Sequence, residues 1–252
     1  MFTPTPYKLF FVQLFCWLSI IPFYVLAPAN WIIMSIVFYV IYLSITSLTI
    51  HRLLCHRAFI VSPIVRKLLI IGASLSTTGS AIPLVSIHRA HHRFSDTKQD
   101  PHSPKYMSIW RVLFGTMFSE VKIRYAMDLV RDPFCKLMHR YYFLTQIPVI
   151  LFWYFVGGYV AVFACHVVPS GLTWIAISCN NYFNHTSGYV TTVMRDTSTN
   201  NLITGYLTLG EGWHNNHHNS SAAPCNTVNW WEFDFIYYVG CLVGTPVKRI
   251  NR

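Results

Sequence analysis

Residues 9–50 contain no Lys, Arg, Asp or Glu, and neither do residues 141–194. Uncharged apolar runs of that length suit a bilayer better than water. A helix crossing the hydrocarbon core needs about 20 residues, so each window holds two crossing helices and a short turn. The breaks fall at Ala27-Pro28-Ala29-Asn30 and at Gly157-Gly158, which predicts spans at about 9–27, 31–50, 141–157 and 159–184. Charged residues are 11% of the chain, against about 25% in ordinary soluble domains.

All nineteen Lys and Arg lie outside the two windows. If both hairpins go out and return, every basic residue sits on one side. The bias of Lys and Arg toward the cytoplasm then places that side, and both termini, in the cytoplasm. The formal charge of +10 reads as membrane orientation and contact with anionic headgroups. Nucleic acid is not expected as a partner, because no basic cluster or recognition motif accompanies the charge. Lys8, the apolar run 9–26 and Ala27-Pro28-Ala29 resemble a cleavable signal, but a second apolar run follows at once. Residues 68–87 are also uncharged, yet Gly72, Gly79 and several Ser and Thr dilute them. They are expected to be buried or interfacial rather than crossing. Seven Cys without a C-x-x-C pair argue against a zinc ribbon or a disulfide framework.

The expected fold is an all-α integral membrane protein with four transmembrane helices in two hairpins. Residues 1–252 form one membrane-embedded domain, and residues 51–140 and 185–252 form a cytoplasmic helical cap that holds a di-metal site. Residues 96–104 read as a loop, and 108–118 and 227–245 as surface-lying amphipathic pieces.

Nine of the twelve His are clustered. His51 and His56 close the second span as HRLLCH. His88, His91 and His92 form HRAHH, and His214, His217 and His218 lie in GEGWHNNHH. In the last two, positions i, i+3 and i+4 share one helix face. His185 ends the fourth span, four residues after Asn181. Spans two and four run the same way, so all nine rings can meet on the cytoplasmic side. A crossing by 68–87 would put His88 opposite His56. Nine imidazoles exceed what one metal takes and suggest two metals with four or five nitrogens each. Imidazole suits Zn, Cu, Fe and Ni alike. The zinc-protease pattern H-E-x-x-H is absent, and E-x-x-H occurs once, at Glu211–His214, where carboxylate di-iron bundles need two copies. His102, His139 and His166 are expected to be surface or hydrogen-bonded core residues. His166 lies 19 residues before His185, about 28 Å along one helix.

HRLLCH, HRAHH and GEGWHNNHH resemble the three histidine boxes, H-x4-H, H-x2-H-H and H-x2-H-H, of membrane fatty acyl desaturases. The flanking HRAHHRFSDTKQDPHSP and NNLITGYLTLGEGWHNNHH resemble the same family, over roughly residues 15–240. The third box and the short chain look most like the bacterial and cyanobacterial Δ9-type branch. The resemblance implies two irons held by His51, His56, His88, His91, His92, His185, His214, His217 and His218, with Asn181 reaching a metal through water. It implies a cis double bond, Δ9 in that branch, made in a saturated acyl chain with O2 and two electrons. No bound haem or flavin is expected, and no catalytic residue beyond the metal centre.

Glu211, Asp96 and Asn215 are candidates to orient ligating imidazoles through the other ring nitrogen, whereas Trp213 reads as packing. In the family a second-span side chain closes the acyl tunnel, which implies Tyr39, with Leu43 one turn nearer the metals. The expected substrate is a fatty acyl chain on coenzyme A, a lipid or a carrier protein. No His-Pro-Gly-Gly haem motif occurs, so a separate ferredoxin or cytochrome b5-type donor is expected. It would dock on a basic face including Arg89, Arg93, Lys98 and Lys105, which contact with membrane lipid explains equally well. A bacterial inner membrane, a thylakoid or the endoplasmic reticulum would suit such a chain. The alternatives are a di-iron hydroxylase of an alkane, lipid or sterol, and a non-enzymatic membrane metal-binding protein.

Overall fold

The computed structural model describes residues 4–247. Residues 1–3 and 248–252, and with them the expected cytoplasmic placement of both termini, lie outside the described residues. Helix α1 (Pro6–Leu26) starts with Pro at its first turn and with the Thr5 hydroxyl accepting from Lys8 N at 3.4 Å. It stops at Ala27, which is extended because Pro28 follows. Helix α2 (Ala29–Thr46) runs without a break into wide π-type turns, Ser47–Cys55. His56 N reaches His51 O at 3.1 Å, five residues back. Such turns re-aim side chains and occur often at functional sites; this one carries His51 and is capped by His56.

Helices α3 (Pro63–Leu75) and α4 (Ala81–Phe94) are separated by a turn with Thr77 at φ 56° and Gly79 at φ 124°. Residues 68–87 are thus split between two short helices. Then follow α5 (Ile109–Gly115), α6 (Met127–Arg131), α7 (Pro133–Arg140), α8 (Gln146–Val162), a wide-turn segment Phe163–Val167 and α9 (Val168–Phe183). The chain ends with α10 (Leu202–Leu207), α11 (His214–Asn219) and α12 (Phe235–Val243). Two residues at Phe59–Ile60 (β1) pair antiparallel with Thr245–Pro246 (β2), so the fold is mostly, not wholly, helical. Only Phe235–Val243 of the expected amphipathic piece 227–245 is helical. Glu232 is buried and accepts Asn229 N at 2.9 Å, folding the preceding residues into a turn.

Among the described residues, three helical stretches are long and apolar enough to cross a membrane: Pro6–Leu26, Ala29–Cys55 and Tyr142–Phe183. The third is 42 residues long and breaks at Gly157 (φ −158°, ψ 26°) and Gly158 (φ 65°, ψ −155°). A left-handed φ followed by extended ψ is open to glycine at little cost, so the helix ends and restarts there. Helix α9 packs against both α1 and α2. Phe23, Ala164, Cys165 and Val168 form a core there, with Trp31, Phe38 and Trp153 against it. Phe11, Leu18, Ile33 and Phe155 stay exposed on the outside, a face for lipid rather than water. Beside the long helices, Ile70, Val85, Leu129 and Met138 join α3, α4, α6 and α7 into a second core.

Candidate metal centre

The three boxes and His185 converge, and they divide into five and four. His51, His56, His88, His92 and His217 each offer a nitrogen within 4.8 Å of the others, as do His91, His185, His214 and His218. In the first group the Nε2 atoms form a chain: His51–His217 3.0 Å, His217–His92 3.0 Å, His92–His88 3.0 Å and His88–His56 2.9 Å. A neutral imidazole Nε2 carries either one N–H or one lone pair. Each nitrogen can therefore serve one partner, and at most two of these four contacts can be hydrogen bonds. A cation at the centre satisfies all five nitrogens. Metal–nitrogen bonds of about 2.1 Å place neighbouring nitrogens about 3.0 Å apart at right angles and about 3.4 Å apart in a tetrahedron. The observed spacing fits five or six ligands better than the four of structural zinc.

In the second group His91 Nε2 and His218 Nε2 are 3.3 Å apart. His185 Nε2 and both nitrogens of His214 are buried with no hydrogen-bond partner among the described residues. Orphaned buried polar atoms are costly, and a metal would satisfy them. The residues therefore fit two metal ions, one in each group.

Carboxylates hold the outer nitrogens. His51 Nδ1 meets Glu211 at 2.5 Å, His91 Nδ1 meets Asp100 at 3.0 Å, His185 Nδ1 meets Asp96 at 2.9 Å and His218 Nδ1 meets Asp196 at 2.7 Å. Each pairing fixes a tautomer and turns the other nitrogen inward. The chain has nine acidic residues, and four of them do this. Burial opposes ionisation of Glu211, but Arg52, His51 and Ser47 hold its carboxyl below the usual range. Asp96 is likewise held low against burial, by His185, Thr197 and Ser103. Burial pushes Asp100 up to about 6. Burial also drives His56, His88, His91, His214, His217 and His218 well below the ordinary imidazole value, and His92 to about 3. Neutral imidazole is the form that binds metal.

The local sequence explains how α11 is held. Leu209 (φ 58°) and Gly210 (φ 113°) turn the chain into Glu211. A Cβ on Gly212 would lie 2.2 Å from Gly205 N, so only glycine lets the two backbones pass. Trp213 is fully buried and donates to Phe233 O at 2.9 Å, which makes it packing.

Several expectations need correction. Asn215 makes no hydrogen bond to an imidazole among the described residues: its Oδ1 accepts Thr191 N and Thr192 N, and its Nδ2 donates to Ser198 O. It ties down the loop that carries Asp196. Asp100 and Asp196 were missed as partners of imidazole; the signal was the scarcity of acids, which gives each one weight. Arg89 is partly buried and tied within the fold. It cross-ties Leu54 O, Tyr125 O and Asp128, whereas Arg93, Lys98 and Lys105 are exposed. His139 bonds Ser80 at 2.6 Å and His166 bonds Tyr42 at 2.9 Å, as core histidines do. His102 does not conform: it is 2% exposed and stacks on His91 at 4.2 Å.

A cavity opens beside the histidines, walled by Leu43, Ile50, Leu84, Ile87, Trp174 and Ile177 and reaching His51, His88 and His214. Asn181 lies on its wall. Leu43 is buried there, but Tyr39 is not on the wall; its hydroxyl donates to Leu207 O at 2.6 Å.

A family model described as fatty acid desaturase matches residues 11–239. The sn-1 stearoyl-lipid 9-desaturase of Synechocystis sp. is 32% identical over 76% of this chain and 61% of its own length. The sn-2 palmitoyl-lipid 9-desaturase of Nostoc sp. is 32% identical over 75% of this chain and 69% of its own. The icosanoyl-CoA 5-desaturase of Limnanthes douglasii is 30% identical over 86% of this chain and 63% of its own. The chain thus spans about three fifths of the length of the first and third of these relatives.

Proposed function

The chain belongs to the fatty acid desaturase family, and on that premise we propose that it desaturates a fatty acyl chain, inserting a cis double bond at the 9 position. The observation that carries this reading is the juxtaposition of five and four inward-facing imidazoles with an apolar cavity. The nine histidines would hold two irons, with Asn181 contributing through water. Iron with O2 and two electrons supplies an oxidant strong enough for an unactivated C–H bond.

What the chain's own residues contribute follows from their positions. Apolar walls from α2, α4 and α9 exclude water and fix which methylenes face His51, His88 and His214. Glu211, Asp100, Asp96 and Asp196 keep four rings in one tautomer and one orientation. Leu43 bounds the cavity on α2 and would limit chain length. The two cyanobacterial relatives are named for lipid-linked chains and position 9, which favours a lipid-linked substrate here. The break at Gly157–Gly158 supports four spans, with α3–α7 and α10–α12 as a cap on the cytoplasmic side. The exposed Arg93, Lys98 and Lys105 suit an acidic, separate electron donor.

The test is expression in cells that lack their own desaturase, followed by fatty-acid profiling with double-bond derivatisation. A new cis-monoene that disappears in His217→Ala establishes the activity and its position. A product that retains oxygen from O2 would reassign the chain as a hydroxylase.

A further inference from the structure

We propose that α10 and residues 228–242 form a face of the cap immersed in the inner leaflet of the bilayer, so that its partner is lipid hydrocarbon rather than water or another protein. The inference rests on the membrane desaturase reading above.

This face is inverted relative to one that meets water. On α10 the exposed side chains are Leu202, Ile203, Tyr206 and Leu207, whereas Thr204, Gly205 and Thr208 are buried. A helix on a water-facing surface turns its apolar stripe to the core and its polar side out. The same inversion recurs in Trp231-Glu232-Phe233-Asp234, where both aromatics are exposed and both acids are buried. Trp230 is 91% exposed and Leu242 is 85% exposed. The Tyr206 hydroxyl donates to Trp231 O at 2.6 Å and joins the two pieces into one face.

Charge follows the same rule. Residues 197–247 contain only three charged side chains, Glu211, Glu232 and Asp234, and all three are buried. Glu211 and Asp234 face Arg52, and Glu232 accepts Asn216 Nδ2 at 2.9 Å. The exposed cations Arg93, Lys98 and Lys105 lie in other segments of the cap. An extended apolar patch without charge marks a binding face.

Depth identifies lipid as what covers it. The Tyr39 hydroxyl donates to Leu207 O at 2.6 Å, and α10 packs against α9 as α12 does against α2. Tyr39 stands about 15 Å along α2 from the turn that joins α1 to α2, and a hydrocarbon core is about 30 Å thick. Leu207 is therefore level with hydrocarbon, not with headgroups. Ile33, Val37 and Ile41 are exposed on α2, so the apolar face of α10 continues that of a spanning helix. Trp and Tyr, as at Trp230, Trp231 and Tyr238, favour the edge of the hydrocarbon. Leu43, one turn from Tyr39, and Thr208, next to Leu207, both line the cavity. Helix α10 thus stands between the cavity and the lipid.

The intact protein, reconstituted into phosphatidylcholine bilayers, tests this by fluorescence quenching. The chain has eight Trp, so Trp230 is read as the difference between wild type and Trp230→Phe. Lipid brominated partway down the acyl chain should remove most of that difference emission, and acrylamide in the water should leave it. Leu242→Trp in the Trp230→Phe background moves the reporter to α12 and should behave alike. Quenching of either reporter by acrylamide puts the face in water and overturns the proposal. Quenching by neither agent means that protein covers the face, a second copy included, and overturns it too. The fluorescence reads position and needs neither metal nor turnover, so it stands or falls apart from the desaturation assay.

Discussion

Arg52 and Glu211, 159 residues apart, meet in a buried ion pair in which Arg52 Nε lies 2.8 Å from the carboxylate. The same guanidinium reaches Asp234 at 2.8 Å and Pro224 O at 2.9 Å. Glu211 in turn holds His51. One side chain from the first histidine box therefore braces the third box and the start of α12.

Arg52→Met should be severely destabilising. It leaves two buried carboxylates uncompensated, and breaking a buried pair this way costs about 3–5 kcal/mol. Thermal melting of the metal-free protein measures the loss, and metal analysis should show less metal retained. An unchanged melt would mean the network is dispensable.

The carboxylates on the outer nitrogens should tune metal affinity more than folding. Asp196→Asn and Asp100→Asn keep the shape but remove the charge that polarises His218 and His91. Changes of this kind lower metal affinity about 10–100-fold. Competition with a chelator reads it directly, and Glu120→Gln, an exposed acid remote from the histidines, is the control.

Acid should destabilise the metal-free protein well before carboxylates titrate. Eight cap histidines, His56, His88, His91, His92, His102, His214, His217 and His218, have folded-state values pushed below the ordinary 6.5, with His92 and His102 near 3. Between those limits the unfolded chain binds more protons than the native one. Stability is then present above about pH 6.5 and lost as the pH falls, by about 1.4 kcal/mol per unit for each ring fully protonated only when unfolded. Asp96 and Glu211, held low, add to the loss below the ordinary carboxylate range. Asp100, raised to about 6 from 3.8, works the other way: its contribution is full below 3.8 and fades as the pH rises through 6. One such group does not offset eight. Melting temperature measured from pH 7.5 to 5 should fall steadily; a flat profile would contradict the burial of these rings.

Leu43→Ala should shift the product profile toward longer acyl chains, because it opens the cavity wall. The same change removes a side chain only 1% exposed, and Leu→Ala changes in cores cost about 2–5 kcal/mol, so yield should drop as well. Tyr39→Phe, off the wall, should leave chain length unchanged. Lipid profiling of both variants decides whether the α2 boundary is Leu43 or Tyr39.

Two glycines should respond very differently to alanine. A Cβ on Gly158 meets nothing within 4 Å, so Gly158→Ala costs only the strain of a positive φ with extended ψ (φ 65°, ψ −155°), about 1–3 kcal/mol. Gly212→Ala drives a Cβ into the Gly205 backbone, which must displace α11 and its three histidines. Melting and metal content together should show a mild loss for the first and loss of metal for the second.

Much of this was legible in the sequence because it is local. Absence of charge over 42 and 54 residues dictates burial in lipid whatever the tertiary fold. The i, i+3, i+4 spacing puts the histidines of a box on one face of any helix, and Gly157–Gly158 breaks a helix by backbone freedom alone. The division of nine rings into five and four was not local. His91 and His92 are neighbours on α4 yet belong to different groups, since adjacent residues on a helix point about 100° apart and the facing partners decide which ring goes where. The carboxylate partners lie 9 to 160 residues from their rings, and spacing along the chain carries no information about such pairings. His102 shows the limit most plainly: alone in its loop it reads as an ordinary histidine, and only the tertiary fold buries it against His91.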